Sequence, residues 1–229
     1  MKKNVLFPSP RERFWGCGYL VFAAVLLPSV LRLLFSGLGV TLNATWLNIA
    51  YFSFNLLFVF VIFRHFLPRM IRDAADKLLP ILVTAAVGFC VYWLSNLVLS
   101  WLITQIKPEY FNSNDQGVAA IAREQYLLTA MCTVFFVPLT EECLFRGAVF
   151  GSLHRKNRLA AYLVSIAIFA LVHIDGWFGV ADTTMLLLSF LQYIPAGLCL
   201  AAAYDISGSV AAPILIHMAV NAVGILALR

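Results

Sequence analysis

The chain has 229 residues, 62% apolar and 12% charged, against about 45–50% and about 25% in an ordinary soluble domain. With a mean hydropathy of +0.89 there is too little polar side chain to cover a globule of this size, which excludes a separate soluble domain. The net charge of +5 is not a nucleic-acid footprint, because the basic residues lie in separate connections and form no single groove.

Read in chain order, apolar blocks fall at about 14–36, 45–66, 78–104, 125–151, 159–177, 183–204 and 208–228. Lys2, Lys3, Arg11 and Arg13 precede the first block, and Arg64, Arg69, Arg72 and Lys77 separate the second from the third. Arg155, Lys156 and Arg158 follow the fourth. These eleven basic residues occupy alternate connections, which the positive-inside rule assigns to the cytoplasmic side. The opposite side carries Lys107, Arg123 and Arg229 with Glu109, Asp115, Asp175 and Asp182. The N-terminus is therefore expected inside and the C-terminus outside.

The first block follows basic residues, as a signal peptide does. It is longer than a signal h-region and contains Pro28 and Arg32, so it reads as a retained span. The longest polar connection, about 105–124, faces outside and includes the turn-rich run Asn112-Ser113-Asn114-Asp115-Gln116-Gly117. Cys17, Cys90, Cys132, Cys143 and Cys199 lack CxxC spacing and read as small buried hydrophobes. His65 and His154 stand beside basic residues at the inner face, where contact with lipid headgroups is expected. Gly147-x-x-x-Gly151 suits close helix packing, and Pro195 with Gly197 suits a kink or a close approach.

Ionisable groups at membrane depth are costly, so those that occur carry information. The fourth block holds Glu141, Glu142 and Arg146, the fifth His173, and the seventh His217 and Asn221. Counted from the inner end at a helical rise of 1.5 Å per residue, Glu141 lies roughly 15 Å deep, His217 roughly 14 Å, Asn221 roughly 20 Å and His173 roughly 21 Å. All four fall in one central band although their helices alternate in direction. Glu142 and Arg146 are i and i+4 and can pair along the helix, while Glu141 is turned about 100° away. His217 and Asn221 share a face in the same way, as do Phe169 and His173. Singly, each has a bland use: a structural ion pair, or hydrogen bonds between helices. Jointly, a carboxylate and two imidazoles in a low-dielectric cavity suit water activation for hydrolysis, with a histidine and an amide available to an oxyanion. The same Glu141, His173 and His217 form a His2Glu set, the ligand count of an open zinc site, although no HExxH run is present.

Glu-Glu-x-x-x-Arg at 141–146, Phe-x-x-x-His at 169–173 and His-x-x-x-Asn at 217–221, in that order on separate late spans, resemble the CPBP intramembrane proteases. That family includes Rce1-type CAAX prenyl endopeptidases and the bacterial Abi proteins. The run Gly208-Ser209-Val210-Ala211-Ala212-Pro213 before His217 strengthens the likeness. The resemblance covers roughly residues 125–225. It implies that Glu141 and His173 activate the attacking water, that His217 and Asn221 stabilise the oxyanion or complete a metal site, and that Glu142 and Arg146 order the site. It leaves open whether zinc is used or no metal at all.

The expected molecule is thus an all-α, polytopic transmembrane helical bundle of about seven spans, in the bacterial cytoplasmic membrane. Residues 1–124 would form three N-terminal spans with an outer loop, and 125–229 a catalytic four-span core. Its partners would be the lipid bilayer and a peptide or lipidated-protein substrate of CAAX or bacteriocin-leader type, with no nucleic acid. A transporter or proton relay, or a non-catalytic bacteriocin-immunity protein, are the alternative functions that buried Glu, His and Arg also permit.

Overall fold

Ser9 starts the first helix, α1 (Pro10–Val25), with a reciprocal capping box: its hydroxyl accepts from the Glu12 N–H, and its own N–H donates to Glu12 Oε2 at 2.8 Å. Glu12 is buried, and its other oxygen accepts from the Phe66 N–H at 2.8 Å, so one carboxylate caps two helix starts. In the computed structural model, residues 5–228 are described; Lys2, Lys3 and Arg229 of the charge pattern lie outside them.

Ten helices make up the described chain. After α1 come α2 (Leu27–Gly37), α3 (Ala44–Ile62), α4 (Phe66–Asp76) and α5 (Leu78–Ile106). They are followed by α6 (Ser113–Glu124) and α7 (Tyr126–Leu153), and then by α8 (Arg158–Ile174) with a 3₁₀ turn at Asp175–Trp177. The last two are α9 (Thr183–Ser207) and α10 (Ala211–Leu226). The chain is an all-α, multi-pass membrane protein, but the span count differs from seven. Five helices are long and apolar enough to cross a bilayer, or six if α1 and α2 count as one. Those two are bent by 65°, because Pro28 has no N–H for the Ala24 carbonyl and its ring crowds that turn. The block at 208–228 yields a helix of only 16 residues, about 24 Å at the standard rise and short of a hydrocarbon core of about 30 Å. Part of the polar 105–124 connection is also helical: Asn112 accepts from the Asp115 N–H and caps α6.

Helix α7 is not regular. Its backbone opens to π geometry at Cys132–Phe136 and again at Cys143–Phe150, on either side of Glu141 and Glu142. The first opening has a cause in sequence. Pro138 cannot donate, and in an α turn its ring would clash with the Val134 carbonyl. The wider turn relieves this, and the Val137 N–H reaches back five residues to the Cys132 carbonyl.

A single buried apolar cluster joins both halves of the chain, running from Phe7 and Leu20 through Phe63 and Phe66 to Phe150, Tyr204 and Ile216. Gly147 and Gly151 admit the N-terminal segment: a Cβ would stand 3.3 Å from Pro8 at the first and 2.9 Å from Phe7 at the second. Gly197 lets α9 approach α8, where a Cβ would meet the Ile166 backbone at 3.3 Å. Gly208, at φ +74°, ends α9 and turns the chain into α10, which returns antiparallel beside it. That tight return, with α10 also lying along α7, carries His217 to the middle of the bundle.

Candidate active site

Three helices supply the site. Glu142 and Arg146 of α7 are fully buried and paired, Arg146 Nη1 donating to Glu142 Oε1 at 3.0 Å. The same oxygen accepts from His217 Nδ1 of α10, also at 3.0 Å. Arg146 is held from its far side as well: Nη2 lies 3.4 Å from the Gly197 carbonyl, and the guanidinium stands 4.6 Å from the centre of the Phe169 ring. Glu142 therefore bridges a fixed cation and an imidazole.

Glu141, one residue back and on another face, lies opposite both histidines. Its Oε2 is 3.8 Å from His173 Nε2 and 4.0 Å from His217 Nε2. His173 Nδ1 donates to the Phe169 carbonyl at 2.8 Å, since a carbonyl oxygen can only accept. The ring is flanked by Phe169 and Tyr193, with centroids at 4.3 and 4.4 Å. Tyr193 had no distinguishing mark in the sequence, where it is one aromatic among many in an apolar helix. Its hydroxyl donates to Asn112 Oδ1 at 3.2 Å, which ties the wall of the site to the outer connection.

These bonds set the tautomers. With Nδ1–H of His173 given to a carbonyl and Nδ1–H of His217 given to a carboxylate, both neutral rings present a lone pair at Nε2. Glu141 Oε2 is buried and without a hydrogen-bond partner among the described residues. Three acceptors thus face one another across about 4 Å with no donor between them. Lone pairs cannot satisfy one another, so the gap suits a species that brings positive charge or hydrogen: a water, a proton or a cation. A cavity of about 50 Å³ reaches Glu141 from the side of α1 and α3, bounded by Leu20, Ala23, Tyr51, Asn55 and Val137.

Of the residues singled out in the sequence, Glu141, Glu142, Arg146, His173 and His217 meet as described. Asn221 is directed elsewhere, its Nδ2 donating to the Thr133 carbonyl of α7 at 2.8 Å. As for zinc, a His2Glu donor set has the right chemistry, but among the described residues no group of three or more His, Cys, Asp or Glu is arranged to hold a metal ion.

His154 departs from its expected contact with lipid headgroups. It is turned inward to the buried Asp205 of α9, at 2.9 Å, where Arg158 and Tyr162 also donate, at 2.6 and 2.9 Å. The sequence showed a histidine among basic residues, and the carboxylate that attracts it lies about fifty positions downstream.

Residues 123–223 match the family described as type II CAAX prenyl endopeptidase Rce1-like. The membrane-embedded CAAX protease MroQ of Staphylococcus aureus (strain USA300) is 32% identical over 149 residues, 60% of this chain and 54% of that protein. The UPF0177 protein YxdF of Lactococcus lactis subsp. lactis (strain IL1403) is 33% identical over 96 residues, 36% of this chain and 51% of its own length. The chain spans about half the length of these curated relatives. No solved structure matches it significantly. Every polar side chain of the site falls inside the matched segment, so the likeness to the Rce1-like CAAX prenyl endopeptidases covers the whole of the candidate site.

Proposed function

We propose that the protein is an intramembrane endopeptidase that hydrolyses a peptide bond of a membrane-associated substrate with a water held by Glu141, His173 and His217. The observation that carries this reading is the set of three unpaired acceptors around one gap. A water there donates one hydrogen to Glu141 Oε2 and the other to a histidine Nε2, which leaves its own lone pair free to attack a carbonyl carbon. As the new C–O bond forms, Glu141 takes the water's proton, and the peptide carbonyl becomes an oxyanion. Glu141 then returns the proton to the departing amine as the C–N bond breaks. Glu142 holds His217 through Nδ1, which keeps Nε2 turned to the gap as an acceptor for the water's second hydrogen. Arg146 fixes Glu142 through a buried ion pair at 3.0 Å.

The cavity at Glu141 is narrow and mostly apolar, which favours an extended, apolar stretch of peptide over a folded protein surface. The name of the relative MroQ supports a CAAX-type substrate for this chain as well, and a leader peptide is the other substrate to be offered. The test uses full-length protein in detergent with fluorogenic prenylated CAAX peptides and leader peptides, beside Glu141→Ala. Turnover by the wild type that Glu141→Ala abolishes is the expected result. Equal rates would sink the proposal. Turnover that a chelator removes, and zinc restores, would overturn the water-only chemistry.

A further inference from the structure

The Thr133 carbonyl has an unusual history. In an α-helix its donor would be the N–H of Val137, but that N–H is given to Cys132 in the π turn. In a π turn its donor would be the N–H of residue 138, and residue 138 is a proline with none. Neither register can satisfy this oxygen from its own helix. A carbonyl left bare at membrane depth is costly, because no bulk water reaches it. Asn221 supplies the missing hydrogen from α10 at 2.8 Å.

Asn221 stands one turn beyond His217 on the same face of α10. That face therefore grips α7 twice: His217 on Glu142, and Asn221 on the backbone that Pro138 opened. Glu141 lies between Pro138 and the second π stretch, so its aim depends on how this segment is wound. We propose that Asn221 is a positioning residue: its amide satisfies the Thr133 carbonyl that Pro138 leaves without a donor, and so holds the winding of α7 that points Glu141 at the histidines. This rests on the protease reading only for its effect on turnover. It differs from the oxyanion or metal role that the family resemblance implies, in which the amide would act on the reacting atoms.

The distinguishing test is a double-substitution cycle in the full chain, using Asn221→Ala, Pro138→Ala and both together, with Tm and turnover read for each. Pro138→Ala returns an N–H to position 138, so Thr133 no longer needs Asn221. Asn221→Ala alone should lower Tm by a few degrees, and lower kcat by about 10²-fold with KM little changed. In the presence of Pro138→Ala the same substitution should cost less than half as much Tm, and kcat should recover at least tenfold over Asn221→Ala. A Tm indifferent to Asn221→Ala, or a penalty that Pro138→Ala leaves intact, would overturn the proposal. An active Pro138→Ala whose double variant is as slow as Asn221→Ala would overturn it too, in favour of an amide on the substrate. Should Pro138→Ala itself be inactive, the Tm cycle alone decides. Wild type without turnover would defeat the protease reading, and the Tm cycle would still decide the clasp.

Discussion

Two buried carboxylate clusters in this molecule use nearly the same residue types to opposite ends. At the inner end of α9, Asp205 accepts from His154, Arg158 and Tyr162, and both of its oxygens are occupied. In mid-bundle, Glu141 and Glu142 face Arg146, His173 and His217, yet Glu141 Oε2, Glu142 Oε2 and Arg146 Nε have no partner among the described residues. A saturated carboxylate ties helices together and has nothing left to react with. An unsaturated one at depth is held by its surroundings at a cost, and that is the condition in which a carboxylate can bind and deprotonate water.

The comparison can be broken most severely at Glu142. Glu142→Ala leaves a fully buried Arg146 without its counter-ion, at a cost of about 3–5 kcal/mol, and frees His217. Thermal unfolding should fall by well over 5 °C and turnover should be lost; a stable, active variant would show that the pair is dispensable.

Asp205→Ala should be milder, about 1–3 kcal/mol, because Arg158 is largely exposed and can return to water. Its kcat should stay within a few-fold of wild type, and loss of turnover at unchanged Tm would mean that this cluster is not merely structural.

The smallest effect belongs to the outer surface. Asp182 caps α9 and accepts from Lys107 at 2.7 Å, and that bond, with the Met185 N–H, holds its carboxyl below the ordinary carboxylate range. A lowered folded value means that its stabilisation is present above the unfolded value of about 3.9 and is lost as pH falls through the lower folded one. Hydrogen exchange at the start of α9 should therefore quicken below about pH 4 in wild type and show no such acid limb in Asp182→Asn. An unchanged acid limb in the variant would remove Asp182 as its source.

The sharing of faces was legible in the chain because helical periodicity is local: Glu142 with Arg146, Phe169 with His173 and His217 with Asn221 follow from spacing alone. The depth arithmetic put Glu141, His173, His217 and Asn221 in one band; Glu141 does lie within 4.0 Å of each histidine, while the Asn221 amide is given to the Thr133 carbonyl. Less was readable where a feature depends on what another helix offers. The inward turn of His154 needed Asp205, and the flanking of His173 needed Tyr193. The bend of α1 against α2 was marked by Pro28, yet a long apolar block read as one span, because hydropathy averages over a break in the backbone.

Composition and spacing by themselves determined that this is an all-helical membrane protein, which residues share a helix face, and roughly how deep the charged ones lie. Those properties follow from a fixed rise, a fixed period and the cost of charge in hydrocarbon. Only the tertiary structure decided that Glu142 bridges Arg146 and His217, that Glu141 Oε2 faces two lone pairs, and that Asn221 serves a carbonyl orphaned by Pro138. Each of these depends on the rotation and offset between neighbouring helices, which many weak packing contacts set together and no local pattern encodes.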